Sequence, residues 1–312
     1  MIRRGVVGTV VGLSKAFAAL GCRRVRVHGA ENLLAVLRDP VRIAEGRGVL
    51  TCTHGAEKDA PLTADSNHIA VLDEPLMWAA LPWATYATPS TTRWSLGASD
   101  IIFKNALLRW FFQHGQTLEV LRGIGVFQRA LDEALEKLHT SQWVHIFPEG
   151  AVNLTPTARL RRFKWGISRL VMEAPVTPTV VPIWLSGFDQ VMPEPRANPR
   201  WLPRLGADLS VMFGHPVDPA SIAPYVDAYR APTDVDPVRL PPMLPALDAD
   251  MPPRHLYPAA PTTLDERDSP SYAALRSHLA AYLRERLAAL GFDARRRLGH
   301  PAGEGQLVHR PR

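Results

Sequence analysis

Residues 143–150 read Trp143-Val144-His145-Ile146-Phe147-Pro148-Glu149-Gly150. The first five are bulky and mostly apolar, a run too short for a helix and rich in strand formers. Proline ends the ladder, and glycine then lets a backbone or a ligand approach closely. The segment is a buried strand that delivers a carboxylate, Glu149, at its carboxyl end. Open α/β sheets hold their ligands at that position. Taken alone, Pro148-Glu149-Gly150 is also an ordinary tight turn.

Strands and helices alternate on both sides of this stretch. Upstream, Gly48–Thr53 is a short buried strand, and the polar residues Gly55–Asp65 form a loop. SNHIAVLDEPLMWAALP follows, with Leu76, Met77 and Ala80 at helical spacing and Pro75 suited to a first turn. A second helix is expected within Ile101–Gly115, ending at a glycine cap. Leu118–Arg122 reads as a strand. Phe127–His139 reads as a helix with Ala130, Leu131, Ala134, Leu135 and Leu138 on one face. Downstream, Phe163–Glu173 is helical and Thr179–Trp184 is a strand. The order predicts an α/β fold with a mixed, mostly parallel sheet flanked by helices. Residues 231–262 hold nine prolines and no periodicity, which reads as a disordered or extended insertion. Tyr272–Leu290 returns to helix, with Leu275, Leu279, Leu283 and Leu287 in register and Gly291 as its stop; a frayed basic tail is expected from Ala294. The expected organisation is therefore an apolar and basic N-terminal segment (1–30), an α/β domain (31–225), a Pro-rich insertion (226–268), and a C-terminal helix with a basic tail (269–312).

The chain has 312 residues, 46% hydrophobic and 21% charged, which excludes a wholly disordered protein. Its two cysteines, Cys22 and Cys52, cannot build a disulfide scaffold or a four-cysteine zinc site and read as buried, reduced thiols. The net charge of +6 suits a polyanionic partner, either nucleic acid or an anionic lipid surface. No zinc-finger spacing, RNP motif or basic zipper supports nucleic acid. The apolar run Gly5–Cys22 carries one charge, Lys15, and is marginal for crossing a bilayer. It can be a targeting segment, a helix in the membrane interface or a core helix; the membrane-surface reading is preferred.

Ser66-Asn67-His68-Ile69-Ala70-Val71-Leu72-Asp73 is the second chemical signal. A carboxylate can hold an imidazole's tautomer and stabilise the imidazolium formed when the other nitrogen takes a proton. Five residues along one helix turn about 140° past a full turn, so both side chains cannot share a helical face. The pairing requires His68 just before the helix and Asp73 one turn inside it. A histidine followed by a first-turn aspartate that suits the helix dipole is equally a common structural arrangement. His145, His54, His114 and His139 read as structural. No HExxH or cysteine pair suggests zinc.

His-x4-Asp followed about 80 residues later by a strand ending in FPEG resembles the glycerolipid acyltransferase superfamily. The blocks SNHIAVLDEP, RWSLGASDIIF, WFFQHG…LRG, WVHIFPEGAVN, RFKWGISRL and TVVPIW occur in order and resemble its phospholipid–lysophospholipid transacylase branch. The resemblance implies that His68 is the general base and Asp73 its partner. It implies that Arg122, with Gly123 beside it, holds a lipid phosphate, that Glu149 and Gly150 close the site, and that Pro182 lines the acyl chain. Two positions depart from the branch: Glu74 stands where a second aspartate is usual, and Ala151 where a cation is usual. Arg159, Arg161, Arg162 or Lys164 is expected to supply that charge, although a solvated helix face explains the cluster as well.

The implied activity is acyl transfer from a phospholipid to monolysocardiolipin without acyl-CoA, which remodels cardiolipin. Ester for ester is nearly isoenergetic, so no cofactor and no metal is expected. The alternative is an acyl-CoA-dependent acyltransferase of the 1-acylglycerol-3-phosphate type. A lipid-binding scaffold without catalysis is a third reading, against which the retained His68, Asp73 and Glu149 argue. The implied partners are cardiolipin, monolysocardiolipin, phosphatidylcholine, a membrane surface and higher-order complexes, with no nucleic acid. The implied place is the outer and inner mitochondrial membranes, peripheral and facing the intermembrane space.

Overall fold

Alternating apolar strands and one-faced helices build a layered sheet in the computed structural model, which describes residues 2–54, 70–88, 90–150, 160–192, 202–230 and 270–299. In chain order, the first half holds α1 (Ile2–Leu20), β1 (Arg24–His28), α2 (Ala30–Arg38), α3 (Pro40–Ala44), β2 (Val49–Thr53), α4 (Ala70–Trp78), β3 (Trp94–Ala98), α5 (Ser99–Ile102) and α6 (Ala106–His114). The second half holds β4 (Thr117–Val120), α7 (Arg129–His139), β5 (Trp143–Ile146), α8 (Gly166–Met172), β6 (Thr179–Ser186), β7 (Asp208–Phe213), α9 (Pro219–Arg230) and α10 (Pro270–Leu298).

The seven strands form one sheet in the order β1-β7-β6-β2-β5-β3-β4. β6, β2, β5, β3 and β4 run parallel, with Thr51 opposite both His145 and Val181. β7 turns antiparallel to β6, and β1 follows β7. Pro182 is tolerated inside β6 because its carbonyl, and hence its missing N–H, faces Gly214 beyond the end of the β7 ladder.

Alternation along each strand divides two cores. Val49, Trp143, Ile183 and Leu185 face one way and pack with α2 and with Met77, Trp78 and Leu81 of the α4 region. Leu50, Val144, Val180 and Trp184 face the other way, under α7, α8, α9 and α10. The first face also carries polar groups. Thr51 and His145 are fully buried there, 2.8 Å apart from Oγ1 to Nδ1, and the Trp143 indole donates to the same Thr51 oxygen. Burial, reinforced by the Arg93 charge, pushes the His145 imidazole well below its ordinary pKa. His145 is thus a core residue held through Nδ1, while its buried Nε2 meets no hydrogen-bond partner among the described residues. Cys22 and Cys52 are both free, and burial pushes the Cys52 thiol up to about 12.

Several sequence expectations need correction. Helix Ile101–Gly115 is two helices, broken before Asn105, whose side chain accepts from the Leu108 N–H. Gly115 has an ordinary negative φ, and Gln116 takes the left-handed turn at φ 62°. Its amide side chain offsets the strain by donating to the carbonyls of Thr92 and Arg93. Pro75 is the sixth residue of α4 rather than a first-turn residue. Residues 226–230 complete α9, so that part of the expected insertion is helical. The remainder of the insertion, like the loop Gly55–Asp65 and the tail beyond residue 299, lies outside the described residues. Ile183, Trp184, Leu185, Phe188, Val191 and Met192, at and beyond the end of β6, are all buried in the core.

Gly291 is not a stop either. α10 continues to Leu298, and Ala294 is buried rather than frayed. Gly291 lies against the indole of Trp184, where an added Cβ would come within 2.4 Å of the ring. Helix propensity alone favours Gly291→Ala by about 1 kcal/mol. Because the buried Trp184 cannot yield, the expected outcome is a loss of about 1–3 kcal/mol, measured as a lower urea midpoint.

Candidate functional site

Parallel pairing brings the carboxyl ends of β2, β5, β3 and β4 to one edge of the sheet. The segments leaving that edge carry most of the sequence-predicted residues. β2 leads towards α4, whose fourth residue is Asp73. Trp78, farther along α4, stacks edge-on against Trp143 at the start of β5. The helix therefore runs back against the strands, which leaves Asp73 towards their carboxyl ends. Its carboxylate is 2% exposed and sits in the first turn, where the helix dipole favours negative charge. Asp73 thus stands one turn inside the helix, as pairing with a residue just before the helix requires. His68 itself lies outside the described residues.

β5 leads into Phe147-Pro148-Glu149-Gly150. Glu149 is buried, and its Oε2 accepts the backbone N–H of Arg161 at 2.9 Å. The Lys164 N–H donates to the Pro148 carbonyl at 2.6 Å. Segment 161–164 is thereby laid across the FPEG turn. Gly150 adopts φ 68°, and an added Cβ would press to 3.2 Å from the Lys164 side chain. Arg161 and Lys164 are exposed at this turn, while Arg162 reaches Ser277 of α10. Residues 151–159, which include Arg159, lie outside the described residues.

β4 leads to Arg122 and Gly123. Arg122 makes a forked ion pair with Asp100, which follows β3: Nε donates to Oδ1 at 2.9 Å, and Nη2 donates to Oδ2. The guanidinium holds the Asp100 carboxyl below the usual carboxylate range. Gly123 takes φ 88°, a conformation that glycine adopts without strain. The planar fork that grips Asp100 is also the geometry that grips a phosphate. Both members are substantially exposed, and such pairs contribute about 0–1 kcal/mol, so a phosphate can displace the carboxylate.

Pro182 is level with Cys52 and Ile146, near the carboxyl ends of β2 and β5. Its ring lies on the opposite face from α4, where it crowds Gly214. Sequence reading also missed two residues beside the site. Asp100 lay within a matched block without a role. Arg93, the first residue of the same block, was also given no role, yet its Nε donates to Glu74 at 2.8 Å, next to Asp73. Among the described residues no cluster of histidine, cysteine and carboxylate groups could hold a metal ion.

Residues 24–186, just over half of the chain, match the family model described as Acyltransferase. An N-acylphosphatidylethanolamine synthase of Arabidopsis thaliana is 35% identical over 218 residues, covering 69% of this chain and 70% of that protein. Tafazzin of Drosophila melanogaster is 37% identical, covering 52% of this chain and 41% of its own length. Tafazzin of Saccharomyces cerevisiae is 32% identical, covering 67% of this chain and 60% of its own length. The chain thus spans about half of the length of these tafazzins.

Removing the internal competitor should free the Arg122 fork. Asp100→Asn is expected to lower KM for a phosphate-bearing acceptor several-fold with little change in kcat. Steady-state kinetics on mixed vesicles check this, and an unchanged or raised KM counts against Arg122 as the phosphate contact.

Proposed function

Because the chain belongs to the acyltransferase family, we propose that it is an interfacial phospholipid–lysophospholipid transacylase that remodels cardiolipin without acyl-CoA. The observation that carries the reading is the meeting at one sheet edge of a buried carboxylate one turn inside α4, a closed FPEG turn and a guanidinium fork. In this reading His68 takes the proton of the free glycerol hydroxyl of monolysocardiolipin, and Asp73 steadies the imidazolium. The alkoxide attacks an ester carbonyl of a donor such as phosphatidylcholine. The tetrahedral oxyanion collapses, the old C–O bond breaks, and the departing glycerol oxygen takes the proton back from His68. One ester forms as one breaks, so neither ATP nor a redox partner enters. Arg122, and Arg161 or Lys164 at the FPEG turn, would neutralise the headgroup phosphates.

The relative named for N-acylphosphatidylethanolamine supports a second acceptor, an amine in place of a hydroxyl. The same base would serve, since an ammonium must lose a proton before it attacks. Purified protein with mixed donor and lysolipid vesicles, assayed with and without acyl-CoA and with phosphatidylethanolamine as an alternative acceptor, separates these readings. The expected result is lysolipid acylation in the CoA-free arm, lowered about 10²–10⁴-fold by His68→Ala. Transfer that requires acyl-CoA, or amide formation alone, overturns it.

A peripheral position on mitochondrial membranes fits the outer surface of α1. No helix among the described residues is long and apolar enough to cross a membrane. Yet Thr9, Leu13, Ala16 and Leu20 form an outward stripe on α1, with Leu13 68% exposed. Lys15 is turned inward instead, donating to the carbonyls of Ala79 and Leu81 at 2.8 and 2.6 Å. α6 packs beside α1 and exposes Leu107, Trp110 and Phe111 at i, i+3 and i+4. Trp83 sits next to Gly12 of α1 and is exposed too. An apolar face bordered by Arg3 and Arg4 is suited to an anionic leaflet. Leu13→Glu combined with Leu107→Glu is expected to abolish co-sedimentation with cardiolipin-containing vesicles while leaving the circular dichroism spectrum unchanged. Full retention on vesicles would place the docking face elsewhere.

A further inference from the structure

Glu74 directly follows Asp73, yet it turns away from solvent into a braced ion pair. Its Oε1 accepts from Arg93 Nε at 2.8 Å and from the Trp78 indole at 2.9 Å. The side chains of Arg93 and Glu74 are only 8% and 17% exposed. Arg93 is fixed in turn: its Nη1 donates to the Gly115 carbonyl at 3.1 Å, and its own carbonyl accepts from Gln116. A buried ion pair is a poor device for stability alone, since well-packed apolar residues do as well or better. Its place next to Pro75 gives it a different use. Proline has no N–H to donate, so the turn of α4 that holds Asp73 lacks one of its backbone bonds. The rotation and depth of that turn must then be set by side chains, and the Glu74 brace is at the correct place to set them.

We propose that Glu74 and Arg93 are positioning residues that fix the first turn of α4 and thereby the direction of the Asp73 carboxylate. The inference rests on the reading of His68 as base and Asp73 as its partner. It concerns neither substrate contact nor proton transfer by Glu74. Loss of the brace would leave the acid present but misdirected, and a misplacement of about 1 Å can cost about 100-fold in rate.

The test is kcat and KM of CoA-free acyl transfer on mixed vesicles, with thermal melts of the same preparations. Glu74→Gln keeps shape and an acceptor oxygen but removes the charge; Arg93→Met keeps length; Arg93→Lys keeps charge without the fork. The expected result is a kcat about 10- to 100-fold lower for Glu74→Gln and Arg93→Met, with KM within about twofold. Arg93→Lys should recover part of the rate, and the double variant should be no slower than the slower single, because the pair acts as one unit. Should Arg93→Met fail to fold, Glu74→Gln decides alone. Variants that melt earlier but turn over at the wild-type rate per folded molecule reduce the pair to a structural role and overturn the inference. His68→Ala separates the two levels. If it is inactive while Glu74→Gln is fully active, only the positioning role falls; if His68→Ala is itself fully active, the reading beneath falls and the positioning role with it.

Discussion

Parallel pairing of β5 between β2 and β3 is the constraint on which the chemistry of this protein depends. Parallel strands put all their carboxyl ends on one edge, so loops far apart in sequence are delivered to the same place. Asp73, Asp100, Arg122 and Glu149 follow β2, β3, β4 and β5 and reach that edge for this reason alone. The antiparallel turn at β7 comes on the far side of β6 and leaves the arrangement intact. The sheet needs apolar cover on both faces, supplied by α2 and α4 on one side and α7 to α10 on the other.

The face under α4 is unusual in being partly polar. Thr51, His145, Ser95 and Thr117 are opposite one another across four neighbouring strands, all buried. Thr51 bonds His145, and Ser95 lies 3.3 Å from Thr117 between hydroxyls. Polar groups at this depth that bond one another restrict how a covering helix can slide. Burial, and after it the Arg93 charge close to this row, hold the His145 imidazole well below its ordinary pKa. Chemistry at the edge and specificity in the core therefore draw on the same few strands.

Much of this was legible in the sequence where one local rule acted alone. WVHIF, VLTCT and TVVPIW are strands because bulky apolar residues leave no helical stripe. α7 was legible from its apolar period, and the place of Asp73 one turn inside α4 followed from helical geometry. What escaped depended on distant partners. β1, Arg24-Val25-Arg26-Val27-His28, is an edge strand whose arginines mask its alternation, and only pairing with β7 makes it a strand. Gly291 reads as a helix end until Trp184 of β6 is set against it. Gly115 reads as a left-handed cap until the Gln116 side chain is seen holding two carbonyls of the Thr92-Arg93 segment. Arg93 itself is 19 residues from Glu74, too far for any helical or strand spacing to announce.

The inward turn of Lys15 ties the first helix to the one that bears Asp73. Its ammonium closes the carboxyl end of α4 by taking two carbonyls that the helix cannot satisfy itself. A protease that clipped off α1 would strand those carbonyls and uncover the apolar side of the helix bearing Asp73. α1 is thus as much a part of the folded domain as the helix it supports.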